Sequence, residues 1–159
     1  MGPAPYSKPP YDSHPPAGGA LYRRQVGHEP GEDFSLAANR IVAIVDDDEA
    51  VRTATVSLVR SLGHKVRSFA SAEEFLRHDA DEGIDCLVTD VHMPGMDGIV
   101  LYDRLVERGR TFPVVFVTGF LDEGTRRSIL AAGAFCYLGK PYSGDQLVDC
   151  LQRALGEKN

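Results

Sequence analysis

Four short segments carry the side chains that could do chemistry together: Asp46-Asp47, Asp90, Thr118 and Lys140, each following an apolar run. Carboxylates gathered at short range repel one another and hold their protons unless a cation lies between them. A hard divalent cation with oxygen ligands answers that need, and Mg²⁺ suits a site with few protein carboxylates and several waters. Lys140 adds a compact ammonium and Thr118 a short hydroxyl donor. An aspartate is a competent nucleophile toward phosphorus, giving an acyl phosphate. Metal, ammonium and hydroxyl would neutralise the oxygens of a phosphoryl group in transfer, which is what that reaction mainly demands. Acyl transfer lacks its residues, since no Ser-His or Cys-His pair falls at these positions. A nucleotide is disfavoured too, because acids stand where a glycine-rich phosphate loop would follow the first apolar run.

These side chains need a scaffold that brings them to one place. Ile41 to Val45, Val66 to Phe69, Cys86 to Asp90, Pro113 to Val117 and Ala134 to Leu138 are short β-branched or apolar runs, read as strands. Helical patterns alternate with them. Val51, Ala54, Leu58 and Leu62 share a face, with Thr55 and Val59 beside it and Gly63 as the stop. Ser71 with Glu74 fits a capping box for a short helix carrying Phe75 and Leu76. Further helices are expected over 99–108, 122–132 with Gly133 as a left-handed cap, and 144–155 with Leu147, Cys150, Leu151 and Ala154 on the buried side. Alternating strands and helices predict an α/β fold: a doubly wound, flavodoxin-like five-stranded parallel sheet of order 2-1-3-4-5 with five helices. In such sheets chemistry gathers at the carboxyl ends of the strands, where Asp46, Asp47, Asp90, Thr118 and Lys140 fall.

The totals set bounds. The chain has 159 residues, 43% hydrophobic and 25% charged, which suits one domain plus an extra segment. Seven of the ten prolines lie before residue 39, so residues 1–38 are read as a disordered Pro/Gly-rich tail, for which we assign no function, and residues 39–157 as the folded domain. A net charge of −6 speaks against direct nucleic-acid binding. No apolar run is long enough to span a membrane and no secretory signal is present, so a cytoplasmic protein is expected. The three cysteines form no C-x-x-C pair and their odd number argues against a disulfide framework; Cys86 and Cys136, in apolar runs, are expected reduced and buried.

Ile44-Val45-Asp46-Asp47-Asp48-Glu49, Val88-Thr89-Asp90-Val91-His92-Met93-Pro94-Gly95-Met96-Asp97-Gly98, Val117-Thr118-Gly119 and Gly139-Lys140-Pro141 resemble, in this order, the receiver domain of two-component response regulators. The resemblance covers roughly residues 40–156 and lies closest to the FixJ/NarL-like branch. It implies a phosphorelay module rather than an enzyme, in which a histidine kinase or phosphotransfer protein donates a phosphoryl group to Asp90 with Mg²⁺ bound. It further implies Asp47 and Asp90 as direct metal ligands, Asp46 acting through water, and the backbone carbonyl of His92 completing the shell. Thr118 would be the switch hydroxyl, Lys140 the partner of the phosphoryl group, Lys140-Pro141 a cis peptide and Tyr137 an aromatic that rotates inward. The face formed by the fourth helix, fifth strand and fifth helix, carrying Arg126, Arg127 and Tyr137, would then favour a downstream protein or a second copy. Most of this branch continues into a DNA-binding helix-turn-helix domain. The sequence here ends at Asn159, so a stand-alone receiver with output through protein contact, or a phosphate shuttle or sink, is expected, with an excised fragment as the alternative.

Plainer readings stand beside several of these roles. Tyr137 alternates with Phe135 along a strand and also suits a core aromatic, and a solvated helix face explains Arg126 and Arg127 equally well. Asp48 and Glu49 open a helix, where negative charge complements its dipole. The His92 side chain suits a solvated loop, and Met93 and Met96 suit packing. A pseudo-receiver that is never phosphorylated would share the fold, but the full set of acids, hydroxyl and lysine argues against it. A phosphohydrolase of the haloacid-dehalogenase kind wants Thr or Val where Ala50 stands, and a cap domain for which there is no room.

Overall fold

The computed structural model describes residues 39–78 and 83–156. The proposed disorder of residues 1–38 lies outside them. Ten elements alternate in chain order: β1 Ile41–Val45, α1 Glu49–Ser61, β2 Lys65–Phe69, α2 Ala72–Arg77, β3 Cys86–Asp90, α3 Gly98–Glu107, β4 Val114–Thr118, α4 Glu123–Ala132, β5 Cys136–Gly139 and α5 Gly144–Leu155. The strands form one parallel sheet of order β2-β1-β3-β4-β5, as the alternating pattern predicts.

Strand periodicity sends successive side chains to opposite faces. Ala43, Val45, Leu87 and Phe116 point to one side, where Phe75 of α2, Leu101 and Leu105 of α3 and Ile129 of α4 pack on them. Val42, Ile44, Val88, Val115 and Val117 point to the other, against Val59 of α1 and Leu147 and Leu151 of α5. β3 and β4 are buried along their whole length, whereas the edge strand β2 is half open. Truncating one of the fully buried leucines to Ala would cost about 2–5 kcal/mol.

Each helix starts on a side-chain cap. Asp48, Ser71, Asp97, Asp122 and Ser143 accept the N–H of the residue three positions on, satisfying one of the free donors of a first turn. The reciprocal box expected at Ser71 is only half formed, because Glu74 takes the N–H of Ala70 at 3.0 Å rather than that of the cap residue. The complete box is at Ser143 and Gln146. Gly133 caps α4 in the left-handed region, as expected.

Two further expectations need correcting. The buried line of α1 runs through Thr55 and Val59, while Ala54 is exposed. Thr55 can be buried because its hydroxyl meets the Tyr142 hydroxyl at 2.8 Å. The second correction concerns the cysteines: Cys136 and Cys150 are joined in a disulfide, with Cα atoms 6.3 Å apart. Cys136 opens β5 on the face that α5 covers, and Cys150 lies on the covering side of α5, so the fold brings together two residues whose spacing of 14 carries no signal. Cys86 stays free and buried, and desolvation pushes its thiol up to about 12, with Asp85 adding to the shift.

Candidate functional site

The site is built by strand register. Val45 of β1 lies opposite Thr89 of β3, Asp90 opposite Val117 of β4, and Thr118 opposite Gly139 of β5, so the carboxyl ends are nearly level. Asp46, the first residue after β1, therefore sits beside Asp90, the last residue of β3. One carboxylate oxygen from each of Asp46, Asp47 and Asp90 falls within 4.8 Å of the others. Asp46 and Asp90 are only 3% and 4% exposed, while Asp47 faces solvent.

Lys140 closes the pocket from the β5 side. Its Nζ lies 3.0 Å from Asp46 Oδ2 and 3.0 Å from Asp90 Oδ2. The Lys140–Pro141 peptide that follows is cis, as the resemblance implied. Burial pushes the Asp90 carboxyl up to about 6; the Lys140 hydrogen bond and charge pull it down, and the charges of Asp46 and Asp47 push it up again. Burial lowers the Lys140 ammonium, but its bonds to Asp90 and Asp46 outweigh this and leave it raised. One ammonium faces three carboxylates, so the site keeps excess negative charge and a set of hard oxygen donors. That chemistry fits a small divalent cation.

The remaining expected residues are placed as follows. Thr118 is fully buried, and its hydroxyl accepts the Phe120 N–H at 3.1 Å and approaches the Phe120 carbonyl at 3.3 Å. His92 is exposed in the β3–α3 loop, with its ring 6.4 Å from that of Phe120 and Nε2 3.4 Å from Thr125 Oγ1. Tyr137 is partly buried against the α2–α4 side of the core, and after Glu123 it adds to the upward shift of the Arg126 guanidinium of α4. Arg126 and Arg127 both pair with Glu123 in the first turn of that helix. Met93 is buried in the core and Met96 packs against it.

Several positioning residues were not foreseen. Arg52 Nη1 donates to the Asp46 carbonyl at 2.7 Å, fixing the turn after β1. Asp46 Oδ1 also accepts the Asp48 N–H at 2.9 Å. Glu73 of α2 accepts the Met96 N–H at 2.9 Å and so holds the β3–α3 loop from outside; that bond keeps its carboxyl below the usual range. A side chain on Gly98 would run into the carbonyl oxygen of Asp90, which is why glycine must stand there. Of these only Gly98 had a sequence signal, as the glycine that closes the loop after the acid. A cavity of about 370 Å³ lined by Arg40, Ile84, Asp85, Arg110 and Phe112 lies at the opposite, amino-terminal edge of the sheet, away from the acids.

No described helix is long and apolar enough to cross a membrane. The family model of the response regulator receiver domain matches residues 42–152. Response regulator protein TmoT of Ectopseudomonas mendocina is 35% identical over 135 residues, which cover 85% of this chain and 61% of that protein. Response regulator protein TodT of Pseudomonas putida is 36% identical over 115 residues, 72% of this chain and 51% of that protein. The chain thus spans about half to three-fifths of the length of these relatives. Among solved structures, response regulator StyR superposes with a TM-score of 0.68 at 38% identity, covering 74% of this chain and 59% of that one. FixJ-N superposes with a TM-score of 0.67 at 31% identity, covering 74% of this chain and 94% of that one. The level strand ends, the acid cluster and these matches lead to one conclusion: the chain belongs to the response regulator receiver domain family and is a phosphorelay receiver.

Proposed function

We propose that Asp90 is the phosphoryl acceptor of this receiver. The observation that carries the reading is Lys140 Nζ, held 3.0 Å from both Asp46 and Asp90 on the rim of a three-carboxylate cluster. An Asp90 carboxylate oxygen attacks phosphorus; the bond from phosphorus to the donor atom breaks, and the donor leaves with its electron pair. Lys140 then exchanges a carboxylate for a phosphoryl oxygen at little cost, because its second partner Asp46 keeps it in place. Mg²⁺ fits the oxygen donors: Asp47 and Asp90 would hold it directly, Asp46 through water, with the backbone carbonyl of His92. When bound it supplies positive charge beside the oxygens of the transferring group.

The donor in this reading is a histidine kinase or phosphotransfer protein, and the switch is Thr118. Its hydroxyl leaves Phe120 for a phosphoryl oxygen, and Tyr137 follows it inward. The new group can drive this only through its different affinity for the two arrangements. The face formed by α4, β5 and α5 then binds a downstream protein or a second copy of the chain. The working unit is residues 39–157, acting in the cytoplasm by contact rather than by turnover.

The test is incubation with acetyl phosphate and Mg²⁺ followed by intact-mass measurement, with Asp90→Asn alongside. The expected result is a hydroxylamine-labile gain of one phosphoryl group, absent without Mg²⁺ and absent in the variant. A folded, Mg²⁺-binding protein that gains no mass would overturn the reading in favour of a module that acts by binding alone.

A further inference from the structure

We propose that Cys136 and Cys150 form a reversible thiol–disulfide site whose bonded state holds α5 against β5 and opposes the repacking that phosphorylation demands. The coupling to phosphorylation rests on the reading of Asp90 given above; the site itself does not. Cys136 is the first residue of β5, adjacent to Tyr137 and four positions before Lys140. Cys150 lies on the buried side of α5 with Leu147 and Leu151, which pack on the β4 and β5 side chains. The bond is the only covalent link between a helix and the sheet among the described residues, and it joins two of the three elements of the switching face.

Both states suit the fold. As thiols the pair would sit 7% and 2% exposed among apolar side chains, where cysteine packs as a small hydrophobe. As a disulfide it fixes the distance between strand and helix. The burial also limits the reagent to a small one or to a moment of opening. A hydroperoxide is the oxidant class that fits. One thiol takes its terminal oxygen to give a sulfenic acid, with release of water or an alcohol; the second thiol displaces that oxygen as water and closes the disulfide. Two electrons pass from the sulfur pair to the peroxide. A dithiol returns them by exchange through a mixed disulfide and is itself oxidised. Because coupling is reciprocal, an arrangement that the bond disfavours is also one in which the bond is easier to reduce.

The whole chain would be treated with hydrogen peroxide or with dithiothreitol, denatured, and labelled with a maleimide. One labelled thiol (Cys86) is expected after peroxide and three after dithiothreitol, with interconversion in the folded protein. The two forms would then be phosphorylated with acetyl phosphate and Mg²⁺, and the bonded form should react at least about fivefold more slowly, the lower end of ordinary coupling. Cys150→Ala should react at the faster rate whatever the peroxide treatment, which separates the bond from other oxidation. If that variant does not fold, the two wild-type forms decide alone. Three labelled thiols after peroxide would overturn the site. Equal rates in the two forms would overturn the coupling. No adduct in the reduced protein would overturn the reading of Asp90 and the coupling with it, while the thiol count still decides the site.

Discussion

As the proposed acceptor, Asp90 would have to be both buried and charged, and its raised pKa records that conflict. Burial comes first among the causes and the neighbouring acids add to it, so the folded chain holds a proton there up to about pH 6 against an ordinary 3.8. A carboxyl raised on folding favours the folded state below pH 4 and loses that advantage as pH climbs through 6. Asp90→Asn removes the charge while Lys140 keeps Asp46 as partner. The variant is therefore expected to be more stable than the parent at pH 7 without divalent cations, by on the order of 1–3 kcal/mol, with the gap closing toward pH 4. Urea unfolding at the two pH values measures this. Gly98→Ala should act in the opposite sense. Its methyl meets the backbone of Asp90 rather than a flexible side chain, so a loss of about 1–3 kcal/mol is expected, together with slower acetyl phosphate labelling as the acceptor is displaced. The acids, the hydroxyl and the lysine were legible because each ends or follows an apolar run. Arg52 and Glu73 were not, because both bond backbone groups, which no residue type marks, and the partner of Glu73 lies in a segment that only the fold brings near.

At the level of elements, periodicity located every strand and helix and erred where polar groups decide. In α1 it counted Ala54 with the buried line. The helix instead turns Thr55 inward, because Tyr142, from the loop after Lys140, supplies a partner for its hydroxyl. That contact ties α1 to the loop carrying the site lysine. Tyr142→Phe would leave the Thr55 hydroxyl buried without it, and thermal unfolding should register a loss of about 1–3 kcal/mol. The expected strand from Ala134 begins at Cys136, since Ala134 still bonds back to Ile129 as part of the exit from α4. The capping of α5 is the most complete of the five. Ser143→Ala removes the half of the box made by the hydroxyl, leaving the Ser143 N–H on Gln146, and should cost about 1 kcal/mol, read as faster amide exchange in the first turn of that helix.

For the molecule as a whole, the described members of both core clusters run from Ile41 to Leu155. With residues 39–157 as the proposed working unit, a chain beginning at residue 39 is expected to unfold in one cooperative step with the midpoint of the full chain, which calorimetry of the two checks. Topology was legible because an alternating βα pattern leaves few right-handed arrangements. The disulfide was not, because contact between β5 and α5 is a product of that topology rather than of any local spacing. The same topology brings all five helix N-termini to the edge that holds the acids, where bare helix ends would gather free anions. Three of the five are stoppered by Asp48, Asp97 and Asp122. Dissolved orthophosphate thus meets fixed negative charge on arrival. With Asp90 as acceptor, the record of a stimulus resides in a bond that must be made and broken, and it lasts for that bond's lifetime instead of following the surrounding phosphate concentration.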